Sequence, residues 1–193
     1  MAAGTSASGV PVHSVEPIST ADHRKFRAGF ALVLMSLAMP FLVLFNTRYL
    51  LAEGYVSPEA NQVIGALATI LMLISFFTVG AANRAYLAGN AVSTRKQLSW
   101  TIFFGIVSFA LIGTQVVNHS VNVVSHFGEI FVTTLGAADL YLMIGMVSLV
   151  GLRTRVQRLW GTKDHTWGMT SNVILWRFIA VAWLIMYVEL YLL

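Results

Sequence analysis

Residues 130–152 read IFVTTLGAADLYLMIGMVSLVGL, with one charge, Asp139, and no proline. A helix needs about 20 predominantly apolar residues to cross a hydrocarbon core about 30 Å thick, and this stretch is that long. It lacks the apolar/polar alternation with period two that a barrel strand would show. It is therefore predicted to be a membrane helix. Four more stretches of similar character surround it, at 27–50, 61–87, 98–119 and 171–192. Their connections carry breakers: Gly54 and Pro58, Gly89 and Asn90, His119 to Gly128, and Arg153 to Gly168. The expected fold is all-α, an integral membrane bundle of five transmembrane helices, with residues 1–26 as a mobile cytoplasmic tail and 27–193 as one membrane domain.

The whole chain agrees with that unit. Of its 193 residues, 57% are hydrophobic and 10% charged, against roughly 25% charged in a soluble domain. A soluble protein, a disordered chain and a secreted disulfide scaffold are all excluded. The net charge of +4 reports membrane edges here and does not indicate nucleic acid. With no cysteine, thiolate metal sites, iron–sulfur clusters and cysteine nucleophiles are ruled out.

Five alternating helices put Arg24, Lys25, Arg27, Arg84, Arg95, Lys96, Arg153, Arg155, Arg158 and Lys163 on one side. The other side has Arg48, beside Glu53, Glu59, Glu129 and Glu189. Cytoplasmic loops are enriched in Lys and Arg, which predicts a cytoplasmic N-terminus and an external C-terminus. Tyr49, Tyr55, Trp100, Trp160, Trp167, Tyr187 and Tyr191 fall near helix ends, where aromatic anchors belong.

Polar side chains inside a bilayer need partners. Ser108, Gln115 and Asn118 share one face of the third helix, expected to point into the bundle. Asp139 lies about 15 Å from the outer end of its helix, as a neutral acid donating one hydrogen bond or as a proton relay. Arg177, about two turns from the basic end of the last helix, is expected to snorkel to a lipid phosphate. A pair with Asp139 would have to close an offset of roughly 10 Å. Arg48 and Glu189, at similar depth, are a candidate outer-side ion pair; the alternative is that each faces headgroups separately. Small residues at Gly65, Ala68 and Ser75, and at Ala138, Gly145 and Ser148, mark faces for close helix approach. Pro40 should kink the first helix.

No catalytic, cofactor-binding or metal site is assigned. His13, His23 and His165 fall on the basic side, and His119 and His126 at an outer helix end, so no pair is placed to hold a haem at depth. A cluster of His119, His126 and Glu129 would depend on an unconstrained loop. There is no G-x-S-x-G, phosphate-binding Gly-rich loop or helical H-E-x-x-H.

Four motifs in register resemble subunit III of the haem–copper oxidases in its short, five-helix form. Gln115-Val-Val-Asn118-His119 is similar to the family's Q/E-x-x-E-aromatic, and Gly136-Ala-Ala-Asp139-Leu-Tyr141 stands where the family has G-x-H-G-x-H. Trp176-Arg177-Phe178-Ile-Ala180-Val-Ala-Trp183 resembles W-H-F-x-D-x-x-W, followed by Tyr187-Val-Glu189-Leu-Tyr191. Gly136, Trp176, Phe178 and Trp183 are thus expected to form a packing frame. The departures are as plain: Leu37 replaces an acid, Asn118 a glutamate, Ala138 and Tyr141 two histidines, and Arg177 and Ala180 a histidine and an aspartate. In the family those polar residues line a cleft that holds phospholipid, so their roles are not transferred.

The resemblance implies a noncatalytic accessory subunit in the cytoplasmic (inner) membrane. It would pack on catalytic subunit I and other membrane subunits and hold phospholipid, with haem and copper in the partners. Gln115, Asn118, Asp139 and Arg177 would be its polar bundle or lipid positions. An accessory protein of a nitric oxide reductase or another membrane complex is the runner-up within that class; a stand-alone small transporter or channel is the alternative of another class.

Overall fold

The computed structural model describes residues 20–52, 56–58, 60–118, 121, 125–158 and 166–193. These form five helices, α1 (Thr20–Ala52), α2 (Gln62–Leu87), α3 (Ala91–Val117), α4 (His126–Arg158) and α5 (Thr166–Tyr191). Each contains a stretch long and apolar enough to cross a membrane. The chain is a multi-pass membrane protein, all-helical among the described residues.

The helices overrun the apolar segments at several ends. α1 starts at Thr20, seven residues before the boundary expected at 27, and α4 continues to Arg158. Residues 20–28 and 153–158 contain no proline or glycine. Hydropathy records where the bilayer stops, whereas helix propensity carries the coil further into water. Residues 20–26, expected in the tail, are thus helical, and residues 1–19 lie outside the described residues. α1 also runs through Pro40 without ending.

Two asparagines start their helices by capping. Asn61 accepts from the Ile64 amide at 3.2 Å, and Asn90 from the Ser93 amide at 2.9 Å, each covering an amide with no partner in the first turn. Gly89, at φ 74°, supplies the left-handed residue that turns α2 into α3.

α2, α3, α4 and α5 close a ring of neighbours in the order α2–α3–α4–α5–α2, and α1 lies outside it against α4 and α5. Of the most apolar window of α1 only 6% is buried, against 44% for α5. Tyr141 of α4 donates to the Leu37 carbonyl at 3.1 Å, and its ring packs on Phe41 with centroids 4.5 Å apart. These contacts dock α1 to the ring.

Candidate functional site

The interior of the ring is organised by the aromatic side chains of α5. Trp176, Trp183 and Tyr191 are spaced by seven and eight residues, close to two helical turns, so they share one face. All three are buried. Trp176 Nε1 donates to Ser75 Oγ at 3.1 Å, and Trp183 Nε1 to Thr69 Oγ1 at 3.0 Å. The Tyr191 hydroxyl donates to Gln115 Oε1 at 2.9 Å. Gln62 Nε2 reaches back to the Tyr191 carbonyl at 3.3 Å. Each polar handle of a large ring thus finds an oxygen on α2 or α3, as a buried indole or phenol requires.

Glycines make room for these rings. A Cβ built on Gly105 of α3 would lie 2.7 Å from the Trp176 ring, and one on Gly145 of α4 would lie 3.0 Å from it. On α2, a Cβ at Gly65 would meet the Tyr191 ring at 2.8 Å. The small faces expected around Gly65, Ala68 and Ser75, and around Ala138 and Gly145, are buried. Ser148, half-buried, donates to Asn172 of α5.

Of the expected frame, Trp176 and Trp183 stand at its centre, and Phe178 is half-buried against Phe41 at 6.5 Å. Gly136 does not belong: it is exposed, with nothing within 4 Å of its Cβ position. It sits two residues from Ala138, about 200° round the helix from the packed face. Gly105 takes the packing role instead, and no motif had marked it. Tyr191, expected as an interfacial anchor, is 1% exposed.

The polar residues separate. Gln115 and Ser108 are buried, and Ser108 Oγ donates to the Ala68 carbonyl at 3.3 Å. Asn118 is exposed, because α3 ends at Val117 and Asn118 is its C-cap, beyond the packed face. Asp139 lies in the α3–α4 seam, with Oδ2 3.2 Å from the position a Cβ on Gly113 would take. Its Oδ1 is buried without a hydrogen-bond partner.

Arg177 turns away from Asp139, towards α2. Its guanidinium stands 5.0 Å from the centre of the Phe76 ring, beside Gly80, where a Cβ would collide with it. Because α5 starts at Thr166, Arg177 lies ten residues inside the span that begins at Trp167, about 15 Å deep and beyond the two turns expected. The side chain is nevertheless exposed.

Arg48 and Glu189 are buried, at 0% and 2% exposure, and the Arg48 charge acts on the Glu189 carboxyl. They do not close a hydrogen bond: all three guanidinium nitrogens and Glu189 Oε2 are buried without a partner. The Arg48 guanidinium instead lies 5.8 Å from the Phe127 ring centre. His126 and Glu129 are exposed on the first turn of α4, whereas His119 lies outside the described residues.

A family model described as Cytochrome c oxidase subunit III matches residues 17–193. Among named relatives, Cytochrome c oxidase subunit 3 of Gallus gallus is 27% identical over 137 residues, covering 70% of this chain and 52% of the relative. That of Yarrowia lipolytica is 27% identical over 177 residues, covering 84% and 66%. In Coturnix japonica the identity is 27% over 126 residues, covering 65% and 48%. The chain thus spans about half to two-thirds the length of these relatives. The family match takes in all five helices and the indole frame of α5, and on that extent this chain belongs to the cytochrome c oxidase subunit III family.

Proposed function

We propose that the chain is a noncatalytic subunit of a haem–copper oxidase-type complex, packed on the catalytic subunit within the membrane. The observation that carries this reading is Arg177. A guanidinium about 15 Å inside an apolar span costs several kcal/mol if it faces hydrocarbon alone, and Phe76 supplies only a cation–π contact. The Arg177 guanidinium stands against the Phe76 ring and beside Gly80, with its side chain exposed. A neighbouring subunit that offers a carboxylate or a ring of carbonyls on this α2–α5 face would satisfy it. Haem and copper belong to those neighbours in this reading, and the work of this chain is packing and lipid retention.

A second feature supports lipid retention. Between α1 and α5 lies an apolar groove of about 310 Å³, bordered by Phe41, Phe45, Phe178 and Ile185 among others. Its volume and apolar lining suit an acyl chain, which would fill the gap left by the sparse packing of α1. The bias of basic residues supports a cytoplasmic N-terminus and an external C-terminus, and the same reading assigns the protein to the cytoplasmic membrane.

Mild-detergent purification of the tagged chain from its native membrane tests the assignment. A haem absorbance should co-elute with it, and Arg177→Leu should release that partner. A monodisperse, haem-free species would sink the reading. Because the chain has no cysteine, orientation is checked with single replacements at exposed sites. Ser125→Cys should react with an impermeant maleimide in intact cells, and Thr154→Cys only after permeabilisation.

A further inference from the structure

The α3–α4 seam, which holds Asp139, lies across the ring from Arg177. In the order α2–α3–α4–α5 it is opposite the α2–α5 face, and α1, packed on α4 and α5, does not cover it. Asp139 is half-buried there, with Oδ1 enclosed and lacking a hydrogen-bond partner, and with Oδ2 against Gly113. The seam supplies no cation of its own at this depth. The nearest Lys or Arg residues on its two helices, Arg153 and Lys96, are about 20 Å or more away along the axes. Lipid tails offer no donor, so a carboxyl at this depth calls for a protein group. The surface around it admits one. Gly136, three residues before Asp139, is exposed with nothing within 4 Å of its Cβ position, and Ala110, three residues before Gly113, is exposed on α3. Residues three apart are neighbours on a helix surface. Small groups therefore flank the carboxyl on both helices, and a partner backbone can approach them closely.

Charge decides the occupant. A hydroxyl or an amide donates to a carboxylate but leaves its charge unbalanced in hydrocarbon, whereas Arg or Lys supplies donors and counter-charge together. A second copy of this chain does not present one at the right height, because copies in one membrane stand level with each other. A Cβ on Gly145 would meet the Trp176 ring at 3.0 Å, so these two residues share a level. Asp139, six residues nearer the start of α4, is then about 9 Å from the level of Arg177. The Arg177 guanidinium reaches further away still, to Gly80, five residues beyond Ser75 towards the basic end of α2. We propose that the α3–α4 seam docks a membrane helix of a different polypeptide, which sets an Arg or Lys against Asp139 and packs closely over Gly136 and Ala110. The site is formed by α3 and α4 alone, so it stands whether or not the α2–α5 face meets a catalytic subunit.

The test uses the full chain in its native membrane, with a benzoylphenylalanine photo-crosslinker replacing Met143 or Ala110, both exposed beside the seam. Irradiation should join the chain to one other membrane polypeptide. Sequencing of the cross-linked peptide should find Arg or Lys within about one helical turn of the attachment point. Adduct yield should fall about tenfold in Asp139→Leu and in Asp139→Asn, the worth of one good interhelical bond, and stay within about twofold of wild type in Asp139→Glu. Gly136→Leu, which keeps the carboxyl but blocks close approach, should lower the yield as far. Helical content by circular dichroism shows that each variant is folded, and Gly136→Leu, altered at an open surface, serves if Asp139 changes perturb the fold. An unchanged yield in Asp139→Leu, adducts with lipid or with this chain alone, or no adduct from either position overturns the proposal. A yield preserved in Asp139→Asn would identify a neutral donor and overturn the basic partner. Haem co-elution plays no part in these readouts, so they stand or fall apart from the assignment of the α2–α5 face.

Discussion

Along one side of α5, Trp176, Trp183 and Tyr191 each donate one proton to an oxygen on α2 or α3. Along another, Glu189 lies near Arg48 of α1, and neither the guanidinium nor Glu189 Oε2 completes a hydrogen bond. Both regions are buried and both join α5 to other helices. The difference lies in charge and stoichiometry. An indole has one donor, which one hydroxyl satisfies, whereas a guanidinium brings five donors and a carboxylate about four acceptor sites. Neutral single-donor groups therefore weld a membrane bundle at little cost, while a buried charge pair leaves more groups to satisfy than two side chains supply.

The sharpest break in this comparison is Trp176→Ala. It removes the ring between Gly105 and Gly145, and should cost about 4 kcal/mol in reversible denaturant titration of the detergent-solubilised protein. Next comes Glu189→Leu, which leaves Arg48 buried without a counter-charge and should cost about 3 kcal/mol. Adding Arg48→Met should bring the stability back to within about 1 kcal/mol of wild type. A double variant as unstable as the single one would show that the pair is a satisfied bond after all. Gly65→Ala, which drives a methyl against the Tyr191 ring, should cost about 2 kcal/mol. The same change at Gly136, which faces open space, should gain about 0.5 kcal/mol through helix propensity. The smallest loss is that of Thr69→Val, which deprives the Trp183 indole of its acceptor and should cost about 0.6 kcal/mol, the mean for a hydrogen bond between membrane helices. A loss larger than that of Glu189→Leu would invert the contrast between the two regions.

The five helices were legible because hydropathy over about 20 residues is a strong signal, and their small-residue faces were legible because glycine and alanine recur at helical spacing. Ser108 and Gln115 followed from that spacing, whereas Asn118 did not, because one face of a helix stops being informative where the helix stops. Arg177 sits further along its helix than the apolar run suggests, for a related reason. The apolar run starts at 171, yet the helix starts at Thr166, and depth is counted from the helix and its interfacial Trp167. The role of Gly105 was invisible because a glycine's neighbour lies on another helix, and composition along one helix cannot name it. The partnering of Trp176 with Ser75 and Trp183 with Thr69 likewise needs the relative heights of α2 and α5.

The seating of Trp176 against Gly105 and Gly145 has a bearing on how such a sequence diverges. Three positions on three helices share one volume, so any side chain added at either glycine has to be matched by a smaller group at 176, and a smaller group at 176 opens a void that neither glycine fills alone. Substitution by single steps crosses an unstable intermediate in every order. Gly105, Gly145 and Trp176 are thus coupled through one packed volume, so a change at any one alters the cost of a change at the others.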